Sequence, residues 1–240
     1  MLVEKLSDNQ NLINVINQLH EEPWPAFLNE DKYVKKYWRQ IYKKYPEYQL
    51  LFKIGDEYIG VGNSAPIYWN GNIDDLPSGF DEAIKIIMEN NGHPNTLCGL
   101  AAVISKKYLG KGISSKIIQN FKQLAVEHGF HSLILPVRPT LKSQYPTIPM
   151  ENYIKWERGN LPFDPWLRVH IKLGGKILKV ANQSMIITGT VAEWQDWTGM
   201  YFGESNKYII PDALNPVNID LEKNIGEYIE PNVWVLHKCE

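Results

Sequence analysis

One stretch, residues 96–137, constrains this chain more than any other. Residues 96–105 (TLCGLAAVIS) form a continuous run of apolar, small and β-branched side chains, as a strand buried on both faces requires. The next segment, SKKYLGKG, is basic and carries two glycines, Gly110 and Gly112. From Ile113 onward Ile117, Ile118, Phe121, Leu124 and Ala125 recur at helical spacing, and Gly129 stands past the end. HSLILPV, residues 131–137, reads as a second apolar strand. Strand, glycine loop, amphipathic helix and strand make a βαβ unit, so the two strands should run parallel in one sheet.

The rest of the chain adds helices before this unit and strands after it. Ser7 and Asp8 can cap a helix whose apolar residues are Leu12, Ile13, Ile16 and Leu19. After the Pro-broken EEPWPAFL, the stripe Tyr33, Val34, Tyr37, Trp38, Ile41, Tyr42 and Tyr45 marks a second helix. Residues 48–69 hold two β-rich runs around Gly55-Asp56, and DEAIKIIMEN reads as a helix stopping at Asn91-Gly92. PWLRVHIKLGG reads as a helix closed by Gly174-Gly175, and KILKV with SMIITGTVAEW as a hairpin. YIIPDALNPVNID and EYIEPNVWVLH are β-like, and no linker separates them from what precedes. The expectation is one α/β (α+β) domain over residues 1–240: a mixed central sheet flanked by helices, with a C-terminal β extension.

Charge and cysteine usage exclude several functions. Lys and Arg number 25 against 27 Asp and Glu, a net charge of −2, so no basic footprint for nucleic acid or an anionic membrane is present. No apolar run approaches the roughly 18–20 residues of a membrane span, and MLVEKLSDNQ lacks a signal peptide's apolar core. Cys98 and Cys239 are too few for a disulfide framework or a thiolate metal site. These features read as a cytoplasmic protein without a metal.

The glycine loop carries the chemistry. Gly110 and Gly112 let a backbone approach a ligand closely, and N–H groups at the following helix start suit a phosphate or pyrophosphate. Lys106, Lys107 and Lys111 add positive charge. A plain strand-to-helix turn with solvated lysines is the alternative. The phosphate-loop pattern ending in Gly-Lys-Ser/Thr is absent, and Ser115 stands where a dinucleotide fingerprint needs its third glycine.

These residues resemble the acyl-CoA motif of the GNAT N-acetyltransferases, Gln/Arg-x-x-Gly-x-Gly/Ala between a strand and a helix. Here it reads Lys107-Tyr108-Leu109-Gly110-Lys111-Gly112, with Lys107 in place of Gln or Arg. The family's Tyr-x-x-Leu-Gly-Phe signature is similar to His170-Ile171-Lys172-Leu173-Gly174-Gly175. The order of elements fits over about residues 5–200, leaving about 201–240 as the extension and 139–162 as an insert.

The resemblance implies an acyl-CoA-dependent acyltransferase, an N-acetyltransferase acting on an amine of a small molecule by direct attack. Acetyl-CoA, or another acyl-CoA, would bind along Ala102, Val103 and Ile104, with Lys107, Tyr108, Leu109, Gly110, Lys111, Gly112, Ile113 and Ser114 around its pyrophosphate. His170 takes the place of the family's Tyr that protonates the thiolate, unless it is a satisfied core histidine. Glu193 is the candidate base or ammonium anchor, with Asp196 and Asp164 beside it; each can instead be a cap or a surface acid. Trp156, Trp166, Trp194, Trp197, Tyr201 and Phe202 either wall an acceptor pocket or form core. A homodimer stays open, as do a CoA-binding sensor without turnover and a transferase using a longer acyl donor. The C-terminal β segments should add to the sheet edge near the SMIITGTV strand.

Overall fold

The computed structural model describes residues 1–21, 23–89 and 92–240. Nine strands among them make one sheet: β1 (Leu2–Lys5), β2 (Gln49–Ile54), β3 (Glu57–Ile67), β4 (Thr96–Ile104), β5 (Ser132–Val137), β6 (Lys176–Gly189), β7 (Asn206–Tyr208), β8 (Val217–Asp220) and β9 (Ile225–Lys238). The order is β1-β2-β3-β4-β5-β9-β8-β7, with β6 along the other edge of β9. β4 and β5 pair in parallel, as the βαβ reading requires, and the other pairs are antiparallel.

Helices cover both faces. α1 (Ile13–Glu21), α2 (Lys32–Lys44), α3 (Phe80–Glu89) and α7 (Val191–Thr198) lie on one, and α4 (Ile113–Glu127), α5 (Met150–Tyr153) and α6 (Pro165–Lys172) on the other. α2 starts where Asp31 Oδ1 accepts from the N–H groups of Tyr33 and Val34 at 2.8 and 2.9 Å, and it buries Tyr37, Ile41 and Tyr42. The tyrosine stripe is therefore core. α4 sits tightly on β3 and β4 because glycines face it. A Cβ on Gly62 would stand 2.9 Å from the Phe121 ring, and one on Gly99 3.4 Å from it.

Several expectations change. The N-terminal residues 2–5 join the sheet as an edge strand opposite Leu50, Leu51, Phe52 and Lys53. Residues 176–189 are one long strand, not a hairpin, with register shifts at Ile177/Lys179 and Ala181/Met185. Residues 191–198 are helical because Thr190 and Glu193 close a capping box that starts α7. The helix stop expected at Asn91 lies outside the described residues.

The C-terminal segment is β structure, as expected, but its last strand is interior rather than at an edge. β9 pairs with β5 from Val233 to Lys238 and with β6 from Gly226 to Leu236. A strand flanked on both edges and covered on both faces needs near-continuous burial, which the run from Tyr228 to Val235 supplies. Where β5 stops opposite Val233, β8 takes over the same edge of β9 opposite Ile225, Gly226 and Glu227. The β7–β8 hairpin thus lies in line beyond the end of β5. Arg138 ties this region together: Nε donates to both Glu230 oxygens at 3.0 and 3.1 Å, and Nη2 to the Asp212 carbonyl at 2.6 Å. No helix among the described residues is long and apolar enough to cross a membrane.

Candidate active site

The sheet opens at its middle. β4 and β5 are paired only at Leu97–Leu133 and Cys98–Ile134; beyond that β5 pairs with β9 alone and β4 with β3 alone. Asn63 opposes Ala101 while Ser64 opposes Gly99, so Leu100 is an extra residue, a bulge that bends β4 where the strands part. From Leu100 to Ile104 the β5-facing edge of β4 has no strand partner, which leaves backbone donors facing the gap.

Past β4, a 3₁₀ turn over Lys106–Tyr108 leads into the glycine loop. Gly110 and Gly112 have φ of +75° and +77°, and a Cβ at either would meet nothing within 4 Å. Conformation rather than crowding demands glycine there, and the open space is what a ligand needs for close approach. No side chain caps the first turn of α4, so its N–H groups stay available to an anion. Lys107 Nζ pairs with Glu57 at 2.9 Å and Tyr108 donates to Glu57 at 2.7 Å; both contacts hold that carboxylate below its usual range. Lys111 Nζ lies 4.7 Å over the Tyr108 ring. Side chains thus brace the loop while its backbone faces outward. Ile113 is buried and anchors the helix start, Ser114, Ala102 and Ile104 are half-buried, Val103 is buried on the opposite face, and Leu109 is exposed. The uncapped backbone at 110–114 and the unpaired edge of β4 are the two features an acyl-CoA would need, an anion site and an extended hydrogen-bonding edge.

The catalytic expectations for His170 and Glu193 are corrected. His170 is 0 % exposed, its Nδ1 lies 2.9 Å from His237 Nε2, and its ring packs on Trp166 at 4.4 Å. His237 stands opposite Leu133, at the end where β4 and β5 are still joined. Burial, reinforced by His237, pulls the His170 pKa down to about 3, so the ring is neutral and cut off from solvent. A side chain so placed cannot supply a proton in the gap. His170→Ala is expected to cost ~2 kcal/mol of stability while kcat of the folded protein stays within about threefold; thermal melts beside initial rates check both.

Glu193 Oε2 accepts from the Thr190 N–H at 2.7 Å and the Thr190 hydroxyl at 2.8 Å. These bonds lower its pKa, which makes it a helix cap rather than a base. Asp164 is buried as the N-cap of α6 and also accepts from Leu141 N–H and Tyr153 OH, while Asp196 is exposed. The tryptophans split between faces: Trp194 is core beside Phe27 and Tyr228, whereas Trp156 and Trp166 pack on the α4 side.

Sequence reasoning passed over the polar groups on the α1–α2 face beside the bulge. His20 Nε2 meets Asn63 Oδ1 at 2.7 Å, and the Trp24 indole N–H donates to His20 Nδ1 at 3.1 Å. Trp38 stands edge-on to the imidazole at 5.5 Å. The available signal was Asn63 with Ser64, two adjacent polar residues in the middle of a strand that is otherwise apolar after Glu57. Among the described residues, no group of three or more His, Cys, Asp or Glu could hold a metal ion.

The same face buries a carboxyl pair. Asp31 Oδ2 and Asp81 Oδ1 have no hydrogen-bond donor, while Asp81 Oδ2 accepts from Ile186 N–H at 3.0 Å. Burial and the neighbouring Asp31 carboxylate raise the Asp81 pKa from 3.8 to about 8, and burial raises that of Asp31. The folded chain therefore keeps a proton that the unfolded chain loses, and this contribution to stability declines as pH rises from about 4 to about 8. In Asp81→Asn the amide donates to Asp31 and still accepts from Ile186. Its melting temperature should exceed that of the natural chain by about 4 °C at pH 8.5, equivalent to ~1 kcal/mol, and the gain should shrink toward pH 5. An equal gain at both pH values would refute the shared proton.

Comparison with known proteins completes the picture. The sequence model described as "Acetyltransferase (GNAT) family" matches residues 13–146. The chain is 34 % identical over 247 residues to "Arginine N-acetyltransferase avaD" of Aspergillus versicolor, covering 89 % of this chain and 84 % of that protein. Its fold is similar to the loading GNATL domain of CurA from Lyngbya majuscula, with a TM-score of 0.63 at 18 % identity over 99 % of this chain and 97 % of that one. It is similar to the same degree, TM-score 0.63 at 13 % identity over all of both chains, to the GphF GNAT-like decarboxylase in complex with isobutyryl-CoA. With the opened sheet, the glycine loop and these matches together, the chain belongs to the GNAT acetyltransferase family.

Proposed function

We propose that this N-acetyltransferase moves the acetyl group of acetyl-CoA onto an amino group of a free basic amino acid of the arginine type. The gap between β4 and β5 above the glycine loop carries the donor half of the reading. Free N–H groups on the β4 edge can polarise a thioester carbonyl and stabilise the oxyanion formed on attack. The acceptor half rests on the relative described as an arginine N-acetyltransferase, which aligns with 89 % of this chain and so with both sides of the gap.

The test is thiol release from acetyl-CoA against a panel of free amino acids, polyamines and aminoglycosides. Release with arginine or its guanidino and amino analogues, above the rates with other classes, is the expected result. Release only with aminoglycosides or polyamines would overturn the acceptor, and CoA binding without release from any amine would favour a sensor.

A further inference from the structure

An amine arrives as an ammonium ion, which must lose a proton before its nitrogen can attack. We propose that His20 takes this proton at Nδ1, with Asn63 and Gln49 as positioning residues that fix its ring and tautomer; this rests on the acetyl-transfer reading above.

The hydrogen-bond directions follow from one end. Gln49 Nε2 donates to the carbonyls of Tyr45 and Ser64 at 2.8 and 3.0 Å, so Gln49 Oε1 is the acceptor for Asn63 Nδ2 at 2.9 Å. Asn63 Oδ1 is then an acceptor, and its partner His20 Nε2, at 2.7 Å, carries the hydrogen. The lone pair of His20 is left on Nδ1, where the Trp24 N–H donates at 3.1 Å. Gln49 and Asn63 are fully buried, which makes this orientation rigid, whereas His20, Trp24 and Trp38 are only half-buried.

Position matters as much as direction. Asn63 opposes Ala101, the residue after the bulge at which β4 leaves β5, so the relay sits one strand in from the gap, level with its opening. Burial lowers the His20 pKa and the hydrogen bond to Asn63 partly restores it. The ring is thus neutral near pH 7, with its lone pair held by a partner that an ammonium group can displace. Trp24, between Pro23 and Pro25 in the α1–α2 connection, is that placeholder.

The step balances. One ammonium proton passes to Nδ1, giving an imidazolium whose Nε2–H stays on Asn63. The freed nitrogen lone pair forms the N–C bond, and the C–S bond breaks with its electron pair going to sulfur. The remaining surplus proton on nitrogen ends on the thiolate, and the imidazolium returns its proton to water.

Nitrogen-detected NMR of the natural chain reads the tautomer directly. An Nε2–H His20 at pH 7 is expected, and an Nδ1–H His20 would overturn the relay whatever the activity. In His20→Gln, kcat should fall about 10²–10³-fold while CoA affinity by calorimetry is unchanged. In Trp24→Phe, which frees Nδ1, the acidic limb of the kcat profile should move. Turnover of His20→Gln within threefold of the natural chain, or an unmoved limb in Trp24→Phe, would remove His20 from the reaction. If the natural chain releases no thiol with any amine, the acetyl-transfer reading fails instead, and the tautomer still decides whether the relay exists.

Discussion

Truncation after Met200 should leave an insoluble chain. The cut removes β7, β8 and β9, and β9 is flanked by β5 on one edge and β6 on the other. Tyr228, Val233, Trp234 and Val235 are each 0 % exposed, and their burial alone contributes on the order of 8 kcal/mol. That is comparable to the whole stability of a typical domain, roughly 5–15 kcal/mol. The remaining β5 and β6 would each present an unpaired apolar edge, which is an aggregation template. Soluble yield and size-exclusion profile of the 1–200 fragment are the measurement. A monodisperse fragment with full acetyltransfer would show that β9 is dispensable.

Gly112→Asp should weaken CoA binding by about 100-fold or more, equivalent to ~3 kcal/mol. Nothing lies within 4 Å of a Cβ built at Gly112, so the fold has room for the side chain. The damage is local. A carboxylate arrives at the start of α4, where uncapped N–H groups and the helix dipole favour an anion, so it competes for those donors and repels a phosphate. Gly112→Asn separates charge from backbone, because Asn tolerates the left-handed conformation and is neutral. Calorimetry should rank the natural chain first, Asn second and Asp last. Unchanged affinity in Gly112→Asp would remove the loop from the donor site.

The contrast between Gly112 and His170 shows what could be read from the residues in order. The glycine loop is legible because it is local: strand, positive-φ glycines and helix start are contiguous. His170 lies in a signature of the same family, yet its environment is made by His237 and Trp166, the first of them 67 residues away. For Glu193 the residues left base, ammonium anchor and cap open, and the capping box with Thr190, three residues before it, is the one the structure shows. The His20 relay was invisible for a similar reason, since His20, Gln49 and Asn63 are joined only by the folding of α1 against β2 and β3.

Local pattern by itself determined the βαβ unit, the parallel pairing of its strands, the glycine loop and the helical faces of α2 and α4. Each depends on periodicity or on a turn within one segment, and no distant partner is needed to express it. Tertiary structure decided the rest: β9 in the interior, the parting of β4 from β5 at the bulge, and which titratable groups are buried together. Strand order and burial are properties of pairs far apart in the chain. Apolar alternation specifies that a segment such as EYIEPNVWVLH must pair, but not with which edge, and a histidine's role follows from its neighbours rather than from its letter.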